Sequence, residues 1–215
     1  MRRHLSSRQA VAELKRLVHT RAAEQTIHRH LEKHPHLLVA PHYARPPVLL
    51  SKPPLGADFI PDFAFFWEHS GGQFVEFVEI EPPGLSIFTA KDEFSKPFDH
   101  AIQQLSDWLG WTKRHPAEIT RFTEILVDQG FTTEGASYQY VQTRLIVGRR
   151  ADVQANTRRK ERWQDRQDEL RGERTVRTWD GFIESLPLAA LDSYDNWRSI
   201  RCYKYRAGRF VETGT

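Results

Sequence analysis

The segment QFVEFVEIE at residues 73–81 decides the fold. Its aromatic and β-branched residues lie between turn chemistry at Ser70-Gly71-Gly72 and Pro82-Pro83-Gly84, so it reads as a strand. Side chains alternate along a strand with a period of two. Val75, Phe77, Glu79 and Glu81 therefore share one face, and Phe74, Glu76, Val78 and Ile80 the other. Upstream, DFIPDFAFFW at 58–67 reads as a second strand, with Pro61 at an edge or bulge, and the two form a hairpin. Downstream, residues 95–111 read as a helix. Ser95 is the N-cap, Pro97 fits the first turn, and Gly110 marks the end. Phe98, Ala101, Ile102, Leu105 and Leu109 make its apolar stripe.

Further out, residues 8–34 carry helical spacing, with Pro35 as the stop. The proline-rich stretch 41–56 reads as a connection around a short strand at Val48–Leu50. A helix is expected over 116–128, ending near Gly130, and a buried strand over 139–147, closed by Gly148. Residues 151–172 are highly charged and helical in character, and 174–179 suit a short strand. Asp180 is expected to cap a short helix, and 198–211 to form a β-hairpin. The sum is an α/β chain with a central mixed sheet flanked by helices, N-terminal helices and a C-terminal β-rich tail.

Composition narrows the function. The 215 residues are 39% hydrophobic and 12% aromatic, which argues against disorder. No apolar run approaches the roughly 18 residues of a membrane span, and the opening MRRHLSSRQ lacks the apolar core of a signal peptide. The single cysteine, Cys202, excludes an internal disulfide and a thiolate zinc site. A cytoplasmic location is the expectation. Net charge is only +3, but it is unevenly spread. Residues 1–36 hold eight Lys/Arg against three Asp/Glu, and residues 144–177 eleven against six. Residues 51–138 hold six against fourteen. Basic flanks suit a phosphate backbone and an acidic centre suits a cation, although a solvated surface of mixed charge gives the same counts.

Glu79 and Glu81 project from the same face of one strand end, where like charges repel. A divalent cation relieves that conflict; so does a strand that simply runs out into solvent. Across the hairpin, Asp62 brings a third carboxylate within reach, with Asp58 as its competitor or as a turn residue. Winding the helix at about 100° per residue sets Gln104 beside the apolar stripe and Gln103 on the far side. Gln104 can then hold a water or phosphate, or serve as an ordinary boundary residue.

Pro61-Asp62, Glu79-Ile80-Glu81 and Gln104, in this order, resemble the PD-(D/E)XK nuclease superfamily. More closely, the chain resembles the C-terminal nuclease domain of Shedu anti-phage defence proteins. The likeness runs through EQTIHRHLEKHPHLL (24–38), PDFAFF (61–66), FVEIEPP (77–83), HAIQQLSDW (100–108), RLIVGRR (144–150) and RTWDGFIESL (177–186). It implies a restriction-endonuclease-like domain over 21–190, after a helical extension at 1–20 and before a tail at 191–215. It also implies Mg²⁺, replaceable by Mn²⁺, on Asp62, Glu79 and the Ile80 carbonyl, with Glu24 as a further acid that either reaches the metal through water or is a solvated helix glutamate. Asp62, Glu79, Glu81 and Gln104 are then the catalytic set. One departure is plain: the motif's lysine is replaced by Glu81, which becomes a general base or an extra ligand. Lys91 and Lys96 are the lysines nearest in sequence, and neither is an evident substitute. The implied partners are nucleic acid, DNA first, and further copies of the chain. Catalytically inactive binding and regulatory modules on the same fold are the rival readings.

Arg149, Arg150, Arg158, Arg159 and Lys160 are the candidate phosphate contacts, against a salt-bridged helix face as the alternative. Trp108 and Trp111 read as core. His28, His30, His34, His36 and His42 read as solvated or nucleic-acid-facing, since Leu31 replaces the glutamate that a zinc-protease helix requires.

Overall fold

A computed structural model describes residues 6–39, 48–69, 72–130, 140–187 and 200–213. Residues 70–71 of the expected turn, the prolines at 41–47, His42 and residues 198–199 lie outside these.

Ser6 opens α1 (Ser7–His19) with a capping box to Gln9. The single helix expected over 8–34 is two. Thr20 ends α1, Arg21 turns left-handed (φ 51°), and α2 (Glu24–Lys33) begins after Ala23. No Gly or Pro announces this break, and the apolar spacing runs across it. A short α3 (His36–Val39) follows.

The sheet begins with β1 (Val48–Ser51), β2 (Phe63–His69) and β3 (Gly72–Ile80). The second strand starts later than expected. Leu55 and Phe59 pair in an isolated bridge, and Pro61 offers no N–H to a ladder. Next come α4 (Lys96–Arg114), α5 (Pro116–Asp128) and β4 (Tyr140–Ile146). The fourth helix does not stop at Gly110, because Trp111 and Thr112 continue its buried face. The charged stretch is also two helices, α6 (Arg150–Val153) and α7 (Thr157–Glu169), with Asn156 capping the second through Arg159 N–H. Then follow β5 (Arg174–Arg177) and α8 (Trp179–Glu184), capped by Thr178 rather than Asp180. The tail forms β6 (Arg201–Arg206) and β7 (Arg209–Glu212).

The strands form one mixed sheet in the order β5-β4-β3-β2-β1-β6-β7. β1–β2, β2–β3 and β6–β7 are antiparallel; β3–β4, β4–β5 and β1–β6 are parallel. The tail hairpin is thus an edge of the main sheet. Burial of apolar surface holds helices on both faces. On one face Leu14, Ile27, Leu31 and Phe182 pack against Phe63, Phe65, Val78 and Ile80. On the other, Phe98, Leu105, Trp108 and Trp163 cover Leu50, Ala64, Phe77 and Leu145.

Candidate active site

Register places the site. Ser51 pairs with Phe63 and Phe63 with Val78. One step beyond each pair, Lys52 therefore stands opposite Asp62, and Asp62 opposite Glu79. The Lys52 N–H donates to the Asp62 carbonyl at 2.8 Å, which fixes the first of these. Leu50, Ala64 and Phe77, two residues along each strand, face α4. By strand alternation Glu79, paired with Leu145 of that face, points to the same side, and Asp62 and Lys52 stand beside it at the strand ends.

Asp62 is almost fully buried, at 1% exposure. Its Oδ2 accepts the Ile80 N–H at 2.9 Å, and its Oδ1 pairs with the Lys52 ammonium. Behind it His28 stacks on Phe63 with ring centroids 4.3 Å apart, and His28 Nε2 lies 3.3 Å from the Asp62 carbonyl oxygen. His28 Nδ1 is 3.5 Å from Glu32, which accepts bonds from Ser51 Oγ and Lys204 Nζ, each at 2.6 Å. A continuous polar chain thus runs from β6 to Asp62.

Glu79 Oε2 is buried and has no hydrogen-bond partner among the described residues. Burial, with Asp62 and Glu81 adding repulsion against the relief from Lys52, pushes the Glu79 carboxyl up to about 9. Burial, then Glu24 and Asp62, raises Glu81 to about 7. Backbone bonds hold Glu81 in place: its N–H donates to Ile146 at 2.9 Å, and its carbonyl accepts Trp179 Nε1 at 2.8 Å. Glu24, the first residue of α2, is also raised, by burial and then by Asp62. Four carboxylates from three elements therefore act on one another around a single lysine.

Gln104 is half-buried on α4, on the side of the sheet that Glu79 faces, and Gln103 is exposed and bonded to Asp107 at 2.8 Å. Asp58 is engaged elsewhere, accepting Trp111 Nε1 at 3.1 Å. Trp108 and Trp111 are core.

The basic residues divide. Arg149 makes a two-pronged bond to Asp180 and also reaches the Val18 carbonyl. Arg150 pairs with Glu184 at 2.5 Å. Arg159 ties α7 to Asp92, Asp152 and the Thr89 carbonyl. Arg158 and Lys160 are exposed. Three of the histidines expected to be solvated are not: His28, His30 and His34 are buried, because their helix face packs against α1 and the sheet, and His36 is half-buried. Lys91 and Lys96 are exposed. The lysine among the acids is Lys52, which the sequence reading did not single out. Its only local signal was a lysine between a short strand and Pro53-Pro54.

No three His, Cys, Asp or Glu side chains among the described residues form a ready metal cage. The donors nevertheless suit a hard divalent cation. Glu79 Oε2 lacks a partner, Asp62 is fixed by the Ile80 N–H, and oxygens are the ligands such ions take.

No described helix is long and apolar enough to cross a membrane. A family model described as Shedu protein SduA, C-terminal, matches residues 21–183. That span takes in Glu24, Lys52, Asp62, Glu79, Glu81 and Gln104. No curated protein matches the chain.

Proposed function

The chain belongs to the Shedu SduA C-terminal family, and from that premise we propose that it is a metal-dependent nuclease of anti-phage defence. The reading rests chiefly on Glu79: a buried carboxylate oxygen without a partner among the described residues, beside Asp62, at the end of a sheet. Mg²⁺, with Mn²⁺ as substitute, is the ion proposed. Asp62, Glu79 and the Ile80 carbonyl would hold it, with Glu24 as an outer acid. When bound, the ion would polarise a phosphoryl oxygen and acidify its water.

The chain's own residues do the rest. Glu81, held to about 7, is poised to take a proton from the attacking water near neutral pH. Gln104 would position that water or a non-bridging phosphate oxygen. Arg158 and Lys160, exposed on α7, are the proposed backbone contacts. Arg149, Arg150 and Arg159 are proposed to shape that surface through their ion pairs. DNA is the substrate, in a cytoplasmic homo-oligomer.

The test is cleavage of plasmid, single-stranded DNA and RNA in Mg²⁺ or Mn²⁺. Asp62→Ala and Glu79→Gln are each expected to lower the rate at least a hundredfold while both proteins stay folded. Cleavage at the wild-type rate by both variants would overturn the reading. Glu81 in the motif's lysine position favours a second reading, an inactive nucleic-acid-binding or regulatory module on this fold. That reading predicts gel-shift retention without cleavage in either metal.

A further inference from the structure

Asp62 has two side-chain oxygens, and both are in use. Oδ2 is tied to the Ile80 N–H inside the sheet, and Oδ1 is held by Lys52. A cation arriving at Oδ1 meets the ammonium already paired with it, and two like charges on one oxygen repel. We propose that Lys52 is a resident counter-cation, holding the place of the divalent ion in the cation-free chain and turning to the phosphate of the bound strand once the ion displaces it. The inference rests on the metal-dependent reading above.

Three observations carry it. The pairing is built into the sheet, since Lys52 and Asp62 are directly opposed and joined through their backbones at 2.8 Å. Lys52 is held at φ 49°, a left-handed conformation that residues other than Gly, Asn and Asp seldom adopt. The fold therefore spends conformational preference to put a lysine there. Finally, the Lys52 side chain is 45% exposed while that of Asp62 is 1% exposed. The ammonium approaches from the solvent side, the direction from which a cation and a phosphate must come. Four rotatable bonds let it move aside without moving β1.

A merely structural ion pair predicts the opposite response to removal of the lysine. Without it, a structural pair leaves Asp62 loose and metal binding weaker. A competitor, once removed, leaves metal binding tighter. The experiment is calorimetric titration of the whole chain with Mn²⁺ alone, comparing wild type, Lys52→Asn and Lys52→Arg. Asparagine removes the charge and tolerates the left-handed backbone. Lys52→Asn is expected to bind Mn²⁺ at least tenfold more tightly than wild type, and Lys52→Arg to stay close to wild type. In Ca²⁺, Lys52→Asn is expected to bind a DNA duplex at least tenfold more weakly. If Lys52→Asn is unfolded by thermal melt, Lys52→Gln takes its place. Equal or weaker Mn²⁺ binding by the neutral variant, with wild type binding normally, overturns the role of Lys52 alone. No Mn²⁺ binding by any of the proteins, with or without DNA, overturns this inference and the metal-dependent reading together.

Discussion

Glu79 carries a proton at neutral pH when no cation is present, because burial raises its carboxyl to about 9. Glu81, at about 7, is partly protonated under the same conditions. The proposed ion would need Glu79 as a carboxylate, and its charge would favour the ionised form of Glu81 as well, so binding would expel protons. Mn²⁺ affinity is therefore expected to rise with pH between 6 and 9, by up to about tenfold per unit for each proton released. Calorimetry in buffers of different ionisation enthalpy would count those protons. Glu79→Gln, which mimics the protonated acid, should leave the fold intact and abolish the binding. An affinity flat across this range would exclude Glu79 as a ligand. Asp62, Glu79 and Glu81 were legible in the sequence because a hairpin and a period of two are local properties. Lys52 was not. Its place among the acids comes from β1 lying beside β2, a pairing between segments whose connection carries no two-residue turn signal.

At the scale of elements, the run Arg158-Arg159-Lys160 shows how one helix divides its charges. Arg159 points inward, bonding Asp92, Asp152 and the Thr89 carbonyl and lying 5.3 Å over the Phe88 ring. It pins the 82–95 loop, which leads from Glu81 to α4. Arg158 and Lys160 face solvent. Arg159→Ala is expected to lower stability by about 1–3 kcal/mol, measured by denaturant unfolding. The double variant Arg158→Ala/Lys160→Ala should leave stability unchanged and reduce the slope of log affinity against log salt by about 2. An unchanged slope would remove α7 from the nucleic-acid surface. The sequence announced a charged helix and left open which charges were structural. That depends on Asp92, remote from Arg159 until the loop folds back, and on Asp152, brought near by the break between α6 and α7. The Asn156 break was harder still to see, since a single capping residue lies inside an otherwise continuous helical composition.

Over the whole molecule, two buried sets of titrating groups sit on opposite faces of the sheet and pull stability in opposite directions. On the α2–α3 side, burial lowers His30, and burial takes His36 from 6.5 to about 4; His36 Nε2 has no hydrogen-bond partner among the described residues. A histidine held neutral stabilises the fold fully above 6.5, and that contribution is lost as pH falls towards 4, because the unfolded chain takes the proton first. On the α4 side, Glu79 is raised from 4.5 to about 9. Its contribution is fully present below 4.5 and is lost as pH rises towards 9, because the folded chain holds the proton longer. Between about pH 4.5 and 6.5 the two slopes oppose each other, and above 6.5 the carboxylate slope remains. The cation-free protein is therefore expected to melt at its highest temperature below neutral pH and to lose stability towards pH 9. Glu79→Gln should flatten the alkaline side of that curve. His36→Phe should flatten the acid side and leave the alkaline side as it was. Differential scanning calorimetry from pH 4 to 9 on the three proteins checks each limb separately. An alkaline limb in Glu79→Gln as steep as in wild type would show that the site acid does not titrate in this range. Adding Mn²⁺ to wild type at pH 8 should then raise the melting temperature, because a bound ion stabilises the deprotonated carboxylates that burial disfavours.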